Sequence, residues 1–415
     1  MPDAAPSGPH PAAIPSEDAA LLHAEFLRHI CQTSSQPLGL VVARAAGTTI
    51  WDHAGQPFLD LLAGMGVANV GHAHPEVVAA IERQIRRYLH VAVYGELVQE
   101  PQVALARRLA AVTPGALDVV YFTNSGAEAI EGALKTARKF TGRQQFVAFE
   151  GSFHGDTFGA LSIGGNPIYR APFEPLLPGV TFLPFGAVEA LDRVDASVAA
   201  VVVEPVQGEG GVRIPPPEFL PALRQRCTDV GALLVVDEVI TGFGRTGTMF
   251  AVEHWRVEPD LLVLAKALGG GMPLGAFVGR AEVMATLQDH PPLAHVTTFG
   301  GHPVSCAAGV AGLEIVLRDQ LPARAARVGR AWLDTLRARC GGALRTVRGL
   351  GLLLALEFAT PEATRRFAAE CFARGVILNW TLHRDTVVRL APPLTISGDE
   401  IAQATAAIDA ALAAL

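Results

Sequence analysis

Lys266 is the one charged residue in the stretch "LLVLAKALGGGMPLGAF", which runs from Leu261 to Phe277. Removing an unpaired ammonium from water is costly, so a buried lysine needs an acidic partner, loses its proton or becomes covalently modified. In a dry pocket the neutral amine is a nucleophile that can form an imine with an aldehyde. A lysine whose head reaches water would fit the same stretch, so the other motifs must decide.

Two other motifs offer the groups that such a reactive amine would need around it. Asp237 follows the apolar run "ALLVV", and Ser125, Gly126 and Ala127 lie where "FTNSGAEAIEGALKTARKF" turns into a helix. The first N–H groups of a helix attract an anion, although the same residues also fit an ordinary helix cap. An amine, a strand-end carboxylate and a phosphate-binding helix start are together what pyridoxal 5'-phosphate (PLP) requires for its aldehyde, its ring nitrogen and its phosphate.

A competing motif follows the same apolar run. Gly242, Gly244 and Gly247 in "GFGRTG" satisfy the dinucleotide-binding pattern, which would indicate a nicotinamide dehydrogenase. That pattern should open a long helix, whereas the following "TMFAVEHWRVEPD" is rich in bulky residues and soon reaches a proline. Two acids, Asp237 and Glu238, also lie where a pyrophosphate would bind. The sequence therefore favours PLP over a dinucleotide.

The elements that must position these residues alternate between strands and helices. This alternation predicts an α/β fold with a mostly parallel central sheet covered by helices, in which ligands bind at the strand ends. A helix is predicted from Pro75, because proline suits the first helical position and apolar residues recur at helical spacing. Its apolar face consists of Val78, Ile81, Ile85 and Leu89. The predicted strands lie at 117–124, 144–151, 197–205 and 232–239.

The two ends of the chain predict a second, smaller α+β domain. Beyond residue 319 the pattern changes to an amphipathic helix, short strands around "LLLALEF" and "TVVRLAPP", and a closing helix. The Ala- and Pro-rich start predicts a disordered tail. The predicted boundaries are 1–17 for the tail, 18–60 for the N-terminal part of the small domain, 61–318 for the large PLP-binding domain and 319–415 for the C-terminal part of the small domain.

Composition limits the class of protein. The chain has 415 residues, of which 50% are hydrophobic, and 33 Lys plus Arg against 40 Asp plus Glu give a net charge of -7. Without a basic block, no nucleic-acid partner is expected. No apolar run has the length of a membrane span, and the start does not fit a signal peptide. The five cysteines form no CxxC pair, so we expect no metal site and a soluble cytoplasmic protein.

From about Leu40 to the C-terminus, the chain resembles the class III PLP-dependent aminotransferases, which have the fold type I architecture. The motifs that carry this resemblance occur in the family's order, and several are weak individually but specific together. Within the family the chain is most similar to the putrescine aminotransferases and then to the ornithine and acetylornithine group. The motifs are "NSGAEA", "FHGDT", "EPVQGEGG", "DEVITGFGRTG", "PDLLVLAKALGGGMPLGA", "TTFGGHPVSCAA", "RGLGLLLALEF" and "RLAPPL".

The resemblance implies a role for each matching position. Lys266 would be the Schiff-base lysine and the base that moves a proton on the substrate, and Asp237 would keep the ring nitrogen protonated. Phe153 would stack on the ring. Thr298 would reach the phosphate in the neighbouring subunit, which implies a homodimer with active sites at the subunit interface. The remaining cofactor-binding positions would be Ser125, Gly126, Ala127, His154, Glu204 and Ile240.

The resemblance also implies how substrates are bound. Arg389 would bind the carboxylate of a 2-oxo acid, and Glu209 would pair with Arg389 when an amine lacking that carboxylate is present. Three positions depart from the family pattern. Asp156 stands where ornithine and acetylornithine aminotransferases have an arginine, so it would repel a carboxylate and attract a second amine. Ile240 replaces a frequent glutamine, and Met65 replaces an aromatic residue, which implies a roomier and more apolar pocket.

These matches predict a ping-pong aminotransferase that moves a terminal amino group from a diamine or ω-amino compound to a 2-oxo acid. The expected donor is putrescine-like and the expected acceptor is 2-oxoglutarate. Within the family, the alternatives are an acetylornithine, ornithine or 4-aminobutyrate aminotransferase. Outside it, the alternative is a PLP-dependent aminomutase, which would return the amine to the same molecule.

Overall fold

Three β-sheets organise the chain in a computed structural model, which describes residues 18–35, 37–94 and 97–415. The predicted tail at 1–17 lies outside the described residues. Strands are numbered in chain order as β1 Val42–Ala46, β2 Thr49–Asp52, β3 Pro57–Asp60, β4 Val119–Thr123, β5 Gln145–Phe149, β6 Val180–Leu183, β7 Val198–Val203, β8 Leu233–Asp237, β9 Leu261–Leu264, β10 Gly275–Gly279, β11 Leu344–Leu350, β12 Leu353–Phe358, β13 Val376–Ile377, β14 Asn379–Thr381 and β15 Arg384–Leu390.

Helices surround these sheets, and within the described residues none is long and apolar enough to cross a membrane. They are numbered as α1 Ala19–His29, α2 Ala63–Gly66, α3 Pro75–Arg87, α4 Glu100–Val112, α5 Gly126–Thr141, α6 Phe158–Ser162, α7 Pro167–Arg170, α8 Phe219–Val230, α9 Ala281–Met284, α10 Pro303–Arg318, α11 Leu321–Arg337, α12 Pro361–Ala373 and α13 Gly398–Ala413.

The central sheet has seven strands in the order β4-β10-β9-β8-β7-β5-β6. The strands from β9 to β6 in this order pair in parallel, while β10 pairs antiparallel with both β9 and β4. Strands β7, β8 and β9 are buried along their whole length, as expected for apolar strands covered on both faces. The predicted α/β fold with a mostly parallel central sheet is therefore confirmed.

Helices cover both faces of this sheet. On one face, Ile130 and Leu134 of α5 pack in a core with Val263 of β9 and Phe277 of β10. On the other face, side chains of α4, α8 and α10 pack against the alternate residues of the same strands. This arrangement leaves the ends of the parallel strands as the place where polar side chains can gather.

The smaller unit contains two four-stranded sheets, with the orders β1-β2-β3-β13 and β11-β12-β15-β14. Strand β13 pairs in parallel with β3, so the C-terminal quarter of the chain joins the N-terminal strands in one sheet. Helices α11, α12 and α13 pack in a core cluster with β11, β12 and β15. The smaller α+β unit is confirmed, whereas the boundaries at residues 60 and 318 stay predictions.

Helix α3 forms where the sequence predicts it, with Pro75 in its first turn. Its buried residues, however, are Val77, Ala80 and Gln84. Of the predicted apolar face, Ile81 is partly buried against the core, whereas Val78 is 39% and Ile85 45% exposed. The buried face of α3 packs against α10, with which it makes extensive contact. Val78 and Ile85 are thus available for contact with another molecule.

The "GFGRTG" run does not open a long helix. It forms turns that lead into a short 3-10 segment at Ala251–Trp255. Arg245 of this run is fully buried and donates hydrogen bonds to Asn69 Oδ1 at 2.6 Å and to the carbonyl of Leu352 at 3.0 Å. Burial lowers the pKa of Arg245 to about 9. The run therefore ties distant segments together and lacks the helix that a dinucleotide site requires.

Candidate active site

A cavity of about 400 Å³ lies where the central parallel strands end. Its size falls within the range of small-molecule sites, which is roughly 300–1,000 Å³. Most of the predicted cofactor-binding residues lie around it, although they are spread over more than a hundred positions of the sequence. Those that line the cavity are Ser125, Gly126, Ala127, Phe153, His154, Glu204, Asp237, Ile240 and Lys266, together with Glu209.

Lys266 lies two residues after the end of β9 and keeps part of its surface open to the cavity. Its backbone has φ +50°, a left-handed conformation that residues with side chains rarely adopt. Burial lowers the pKa of Lys266, and the positive charge of Arg389 lowers it further. The acids Glu209, Asp237 and Glu204 act in the opposite direction but do not prevail. The amine is therefore more easily deprotonated than an ordinary lysine.

Asp237 is the last residue of β8 and is almost fully buried. Its Oδ2 lies 2.7 Å from Nδ1 of His154, and its Oδ1 accepts a hydrogen bond from the N–H of Val239 at 3.0 Å. Burial opposes protonation of His154, but the hydrogen bond and charge of Asp237 outweigh it and raise the pKa of His154. The pair therefore fixes an acid at the cavity wall in one orientation.

Glu204 follows β7 and holds the backbone of the cavity wall in place. Its Oε1 accepts a hydrogen bond from the N–H of Phe153 at 2.9 Å, and its Oε2 accepts one from the N–H of Gly208 at 2.8 Å. Burial raises the pKa of Glu204 to about 7. Glu204 therefore positions the loop that carries Phe153, which lines the cavity.

The start of α5 forms another wall of the cavity. Ser125 is its N-cap, with Oγ accepting a hydrogen bond from the N–H of Glu128 at 3.2 Å, and Gly126 is its first residue. The loop after β5 approaches this helix closely, since a Cβ on Gly155 would lie 2.5 Å from Cβ of Ala127. Gly155 also has φ +119°, which favours glycine. The first N–H groups of α5 thus border a narrow space suited to an anion.

Arg389 and Glu209 form a buried ion pair, of which Glu209 lines the cavity. The Arg389 side chain is 1% exposed and that of Glu209 is 14% exposed. Burial opposes ionisation of Glu209, yet the charge and hydrogen bond of Arg389 together lower the pKa of this carboxyl. Nη2 of Arg389 also lies 3.7 Å from Sδ of Met65, a residue with φ +67°. The structure thus brings together three of the four predicted substrate residues, namely Arg389, Glu209 and Met65.

Two predicted residues lie elsewhere on the protein surface. Asp156 is exposed and does not line the cavity. Burial raises the pKa of Tyr169 and lowers that of His383, and the charge of Asp156 adds to the first shift and opposes the second. Thr298 is also exposed and lies outside the cavity within this single chain. A contribution of Thr298 to an active site would therefore require a second subunit.

Three residues near the site were missed by sequence reasoning. The Tyr169 and His383 rings stack with centroids 5.0 Å apart, and the His383 ring meets Phe153 edge-on at 5.7 Å. The N–H of Leu382 donates a hydrogen bond to Oε2 of Glu209 at 2.8 Å. None of the three belongs to a motif that signals chemistry, and Tyr169 lies more than two hundred positions from its partners.

Comparisons with known proteins place this site in a family. The family model described as "Aminotransferase class-III" matches residues 30–412. A solved ornithine aminotransferase from Toxoplasma gondii ME49 is 33% identical, with 96% of each chain covered and a TM-score of 0.89. A thermostable (S)-enantioselective omega-transaminase from Thermomicrobium roseum is also 33% identical, covering 96% of this chain and 99% of that chain with a TM-score of 0.90.

Fold and family together define a PLP-dependent transferase of fold type I. The chain belongs to the class III aminotransferase family. A second structure of the T. gondii ornithine aminotransferase, 34% identical over 95% of this chain with a TM-score of 0.88, has partial occupancy of PLP at its active site. The cavity fits this cofactor, because it combines the amine of Lys266, the buried acid of Asp237 and the open helix start of α5.

Proposed function

We propose that this aminotransferase moves a terminal amino group from a diamine or ω-amino compound to a 2-oxo acid, with 2-oxoglutarate as acceptor. The observation that carries this proposal is the buried pair of Arg389 and Glu209 beside Lys266. While Arg389 and Glu209 are paired, their charges cancel and the site suits an amine that has no carboxylate nearby. When the pair separates, the planar guanidinium of Arg389 can donate parallel hydrogen bonds to the carboxylate of a 2-oxo acid.

Each group of cavity residues would have a separate role in binding the cofactor or in catalysis. When bound, PLP supplies the aldehyde that takes up the amino group and a ring that accepts electron density. Lys266 would bind the aldehyde, and its neutral Nζ would move a proton at the carbon that bears the amino group. Asp237, oriented by His154, would hold the proton on the ring nitrogen. The start of α5 would bind the phosphate, while Phe153 and Ile240 would contact the ring.

Asp156 supports a donor that carries a positive charge at its far end. Its carboxylate lies near Tyr169 and His383, whose rings lead to Phe153 at the cavity wall. A second ammonium group would be attracted by this acid. A substrate carboxylate in the same position would be repelled.

Ornithine is the second candidate donor, because the T. gondii relative is described as an ornithine aminotransferase. Ornithine also carries a terminal amino group, but its other end holds both an ammonium and a carboxylate. Asp156 would favour the first group and oppose the second. The balance of these two effects distinguishes a diamine from ornithine as the preferred donor.

We also propose that the protein is a cytoplasmic homodimer whose active sites include Thr298 of the partner. Support for the dimer comes from exposed apolar side chains beside Thr298, notably Val296 at 56% and Phe299 at 54% exposed. Support for the compartment comes from the cysteines, since all five are free thiols. In the described part of the chain, no group of three or more His, Cys, Asp and Glu side chains could hold a metal ion.

A donor panel tests the proposed function directly. Purified protein with PLP is given putrescine, cadaverine, ornithine, N-acetylornithine or 4-aminobutyrate, each with 2-oxoglutarate or pyruvate, and the amino acid formed is measured. We expect the highest kcat/KM with a diamine and 2-oxoglutarate. Faster transfer from N-acetylornithine or ornithine would contradict the donor, and turnover without any 2-oxo acid would indicate an aminomutase.

Removal of the Asp156 charge tests the donor class independently. The variant Asp156→Asn should lower kcat/KM for putrescine roughly twofold to fivefold relative to a monoamine of equal length, the range expected for an exposed charge. Asp409→Asn is the matched control, because Asp409 already pairs with Arg339 at 2.6 Å in the smaller unit. Equal losses for both amines in Asp156→Asn would contradict a role in recognising the second ammonium.

A further inference from the structure

One β-hairpin carries both Arg389 and a turn that is hydrogen-bonded to Glu209. Strands β14 and β15 pair antiparallel, and Leu382 and His383 form the turn between them. Arg389 lies at the far end of β15, where it pairs with Asn379 at the start of β14. The carboxylate-binding arginine and the turn are therefore the base and the tip of one structural unit.

Glu209 contacts this hairpin at both ends. Its Oε1 pairs with Arg389 at the base, while its Oε2 accepts the hydrogen bond from the N–H of Leu382 at the tip. The backbone carbonyl of Glu209 accepts a third hydrogen bond, from the N–H of His383 at 3.1 Å. When the Glu209 carboxylate leaves Arg389, it must also leave or strain its bond to the tip.

Tyr169 holds the same tip from the opposite side. Its hydroxyl donates a hydrogen bond of 2.8 Å to the carbonyl of Leu382, whose N–H is bound by Glu209. Its ring stacks on His383, and Nδ1 of His383 lies 3.3 Å from the carbonyl of Gly151. The tip is thus fixed by a side chain that contacts neither Arg389 nor the cavity.

We propose that Tyr169 is a positioning residue that sets how tightly Glu209 holds Arg389, and thereby the balance between amine donor and 2-oxo acid. The inference rests on the proposed function, because it assumes that Arg389 binds a carboxylate in one half of the cycle and Glu209 in the other. With the tip anchored, the Glu209 carboxylate stays paired and the site favours amines. With the tip loosened, a 2-oxo acid displaces Glu209 from Arg389 more easily.

The variant Tyr169→Phe tests this role, since it removes the hydroxyl and keeps the ring that stacks on His383. Calorimetry with glutarate, a dicarboxylate that competes for Arg389, should give a Kd lower by roughly threefold to tenfold, the range that one hydrogen bond supplies. In kinetics, KM for 2-oxoglutarate should fall and KM for the amine donor should rise, with kcat little changed. The Leu382 amide should exchange its hydrogen faster than in the wild type.

Two controls separate positioning from general damage. Tyr121→Phe removes a hydrogen bond of the same length to a backbone carbonyl, that of His295, away from the hairpin, and should leave the glutarate Kd unchanged. In a Glu209→Gln background, Tyr169→Phe should no longer alter the Kd, because the carboxylate it positions is absent. An unchanged Kd in Tyr169→Phe, or an equal change in both backgrounds, would overturn the proposal.

A third variant loosens the same tip in another way, and the outcomes separate failure of this inference from failure of the proposed function. Should Tyr169→Phe fail to fold, His383→Leu loosens the same tip by removing the contact to Gly151, and the glutarate Kd should again fall.

If wild-type protein transfers no amino group from any donor, the proposed function fails and this inference fails with it. If wild-type protein is active but glutarate affinity is the same in both tip variants, this inference alone is wrong.

Discussion

Glu238 is a fully buried carboxylic acid that follows Asp237 in the sequence but takes no part in the cavity. Its Oε1 accepts a hydrogen bond from the N–H of Val252 at 2.8 Å, and its Oε2 accepts one from the hydroxyl of Thr241. Burial raises the pKa of Glu238 to about 7. The two adjacent acids thus have different environments. Asp237 is oriented by His154 at the cavity wall, whereas Glu238 accepts hydrogen bonds from buried groups outside the cavity.

This raised pKa predicts a pH-dependent stability. In the unfolded chain Glu238 loses its proton near its ordinary pKa of 4.5, whereas in the folded protein it keeps the proton until about pH 7. The unfolded state therefore binds fewer protons between these values, and rising pH costs the folded protein stability, on the order of 3 kcal/mol. Glu238→Gln should be as stable as the wild type at pH 4.5 and more stable at pH 8.

Thermal unfolding of the holoenzyme at both pH values measures this difference. Glutamine is a matched replacement, because its oxygen can accept from Val252 and its amide can donate to the Thr241 hydroxyl. A difference in Tm between variant and wild type that is the same at pH 4.5 and pH 8 would show that Glu238 does not titrate in this window.

For single residues, the sequence predicts the chemical role of a side chain better than its conformation and contacts in the folded protein. Lys266 could be selected because a lone charge in an apolar stretch is unusual, and Asp237 because it ends a buried strand. The left-handed backbone of Lys266 has no such signal in the sequence. Tyr169 and His383 were missed because their contact depends on two distant segments meeting.

Helix α11 shows how an element depends on one glycine. Gly329 lies in the middle of this helix, where a Cβ would be 1.8 Å from the carbonyl oxygen of Gly351. That oxygen belongs to backbone between β11 and β12, so it cannot move as a flexible side chain would. Glycine is a poorer helix former than alanine, but without a side chain it allows α11 to pack closely against the turn between β11 and β12.

We predict that Gly329→Ala destabilises the protein by roughly 1–3 kcal/mol, because overpacking outweighs the helix propensity gained. Gly398 is the matched control: it begins α13, and a Cβ there would meet nothing within 4 Å. Gly398→Ala should leave stability unchanged or raise it by a few tenths of a kcal/mol. Equal denaturation midpoints for the two variants in urea would contradict the close contact at Gly329.

Elements were easier to predict than the faces they bury. The buried strands β5, β7 and β8 were recognised from apolar runs, and α3 from its proline and periodicity. Strands β6, β9 and β10 were missed, because short apolar runs next to glycine do not distinguish strand from loop. The predicted apolar face of α3 is buried only in part, through Ile81, since a periodic stripe indicates burial but not by which partner.

The whole chain leaves an apolar surface beside Thr298 uncovered. It includes Leu89 at 58%, Leu293 at 73% and Phe299 at 54% exposed, and the rings of His90 and Phe299 lie 4.9 Å apart. Together with Val78 and Ile85 of α3, these residues are candidates for burial in the interface of the proposed homodimer.

Mixed dimers distinguish shared active sites from separate ones. Lys266→Ala removes the reactive amine, and Thr298→Asp places a carboxylate against the phosphate that Thr298 is proposed to contact. If Thr298 acts across the interface, a hybrid of the two variants contains one site with both Lys266 and Thr298 intact, whereas each pure dimer contains none. Refolding the two variants in equal amounts should then restore about one quarter of the wild-type activity, since half of randomly formed dimers are hybrids with one good site each. No recovery above the two pure variants, in a mixture shown by native mass spectrometry to contain hybrids, would mean that Thr298 does not serve the partner's site.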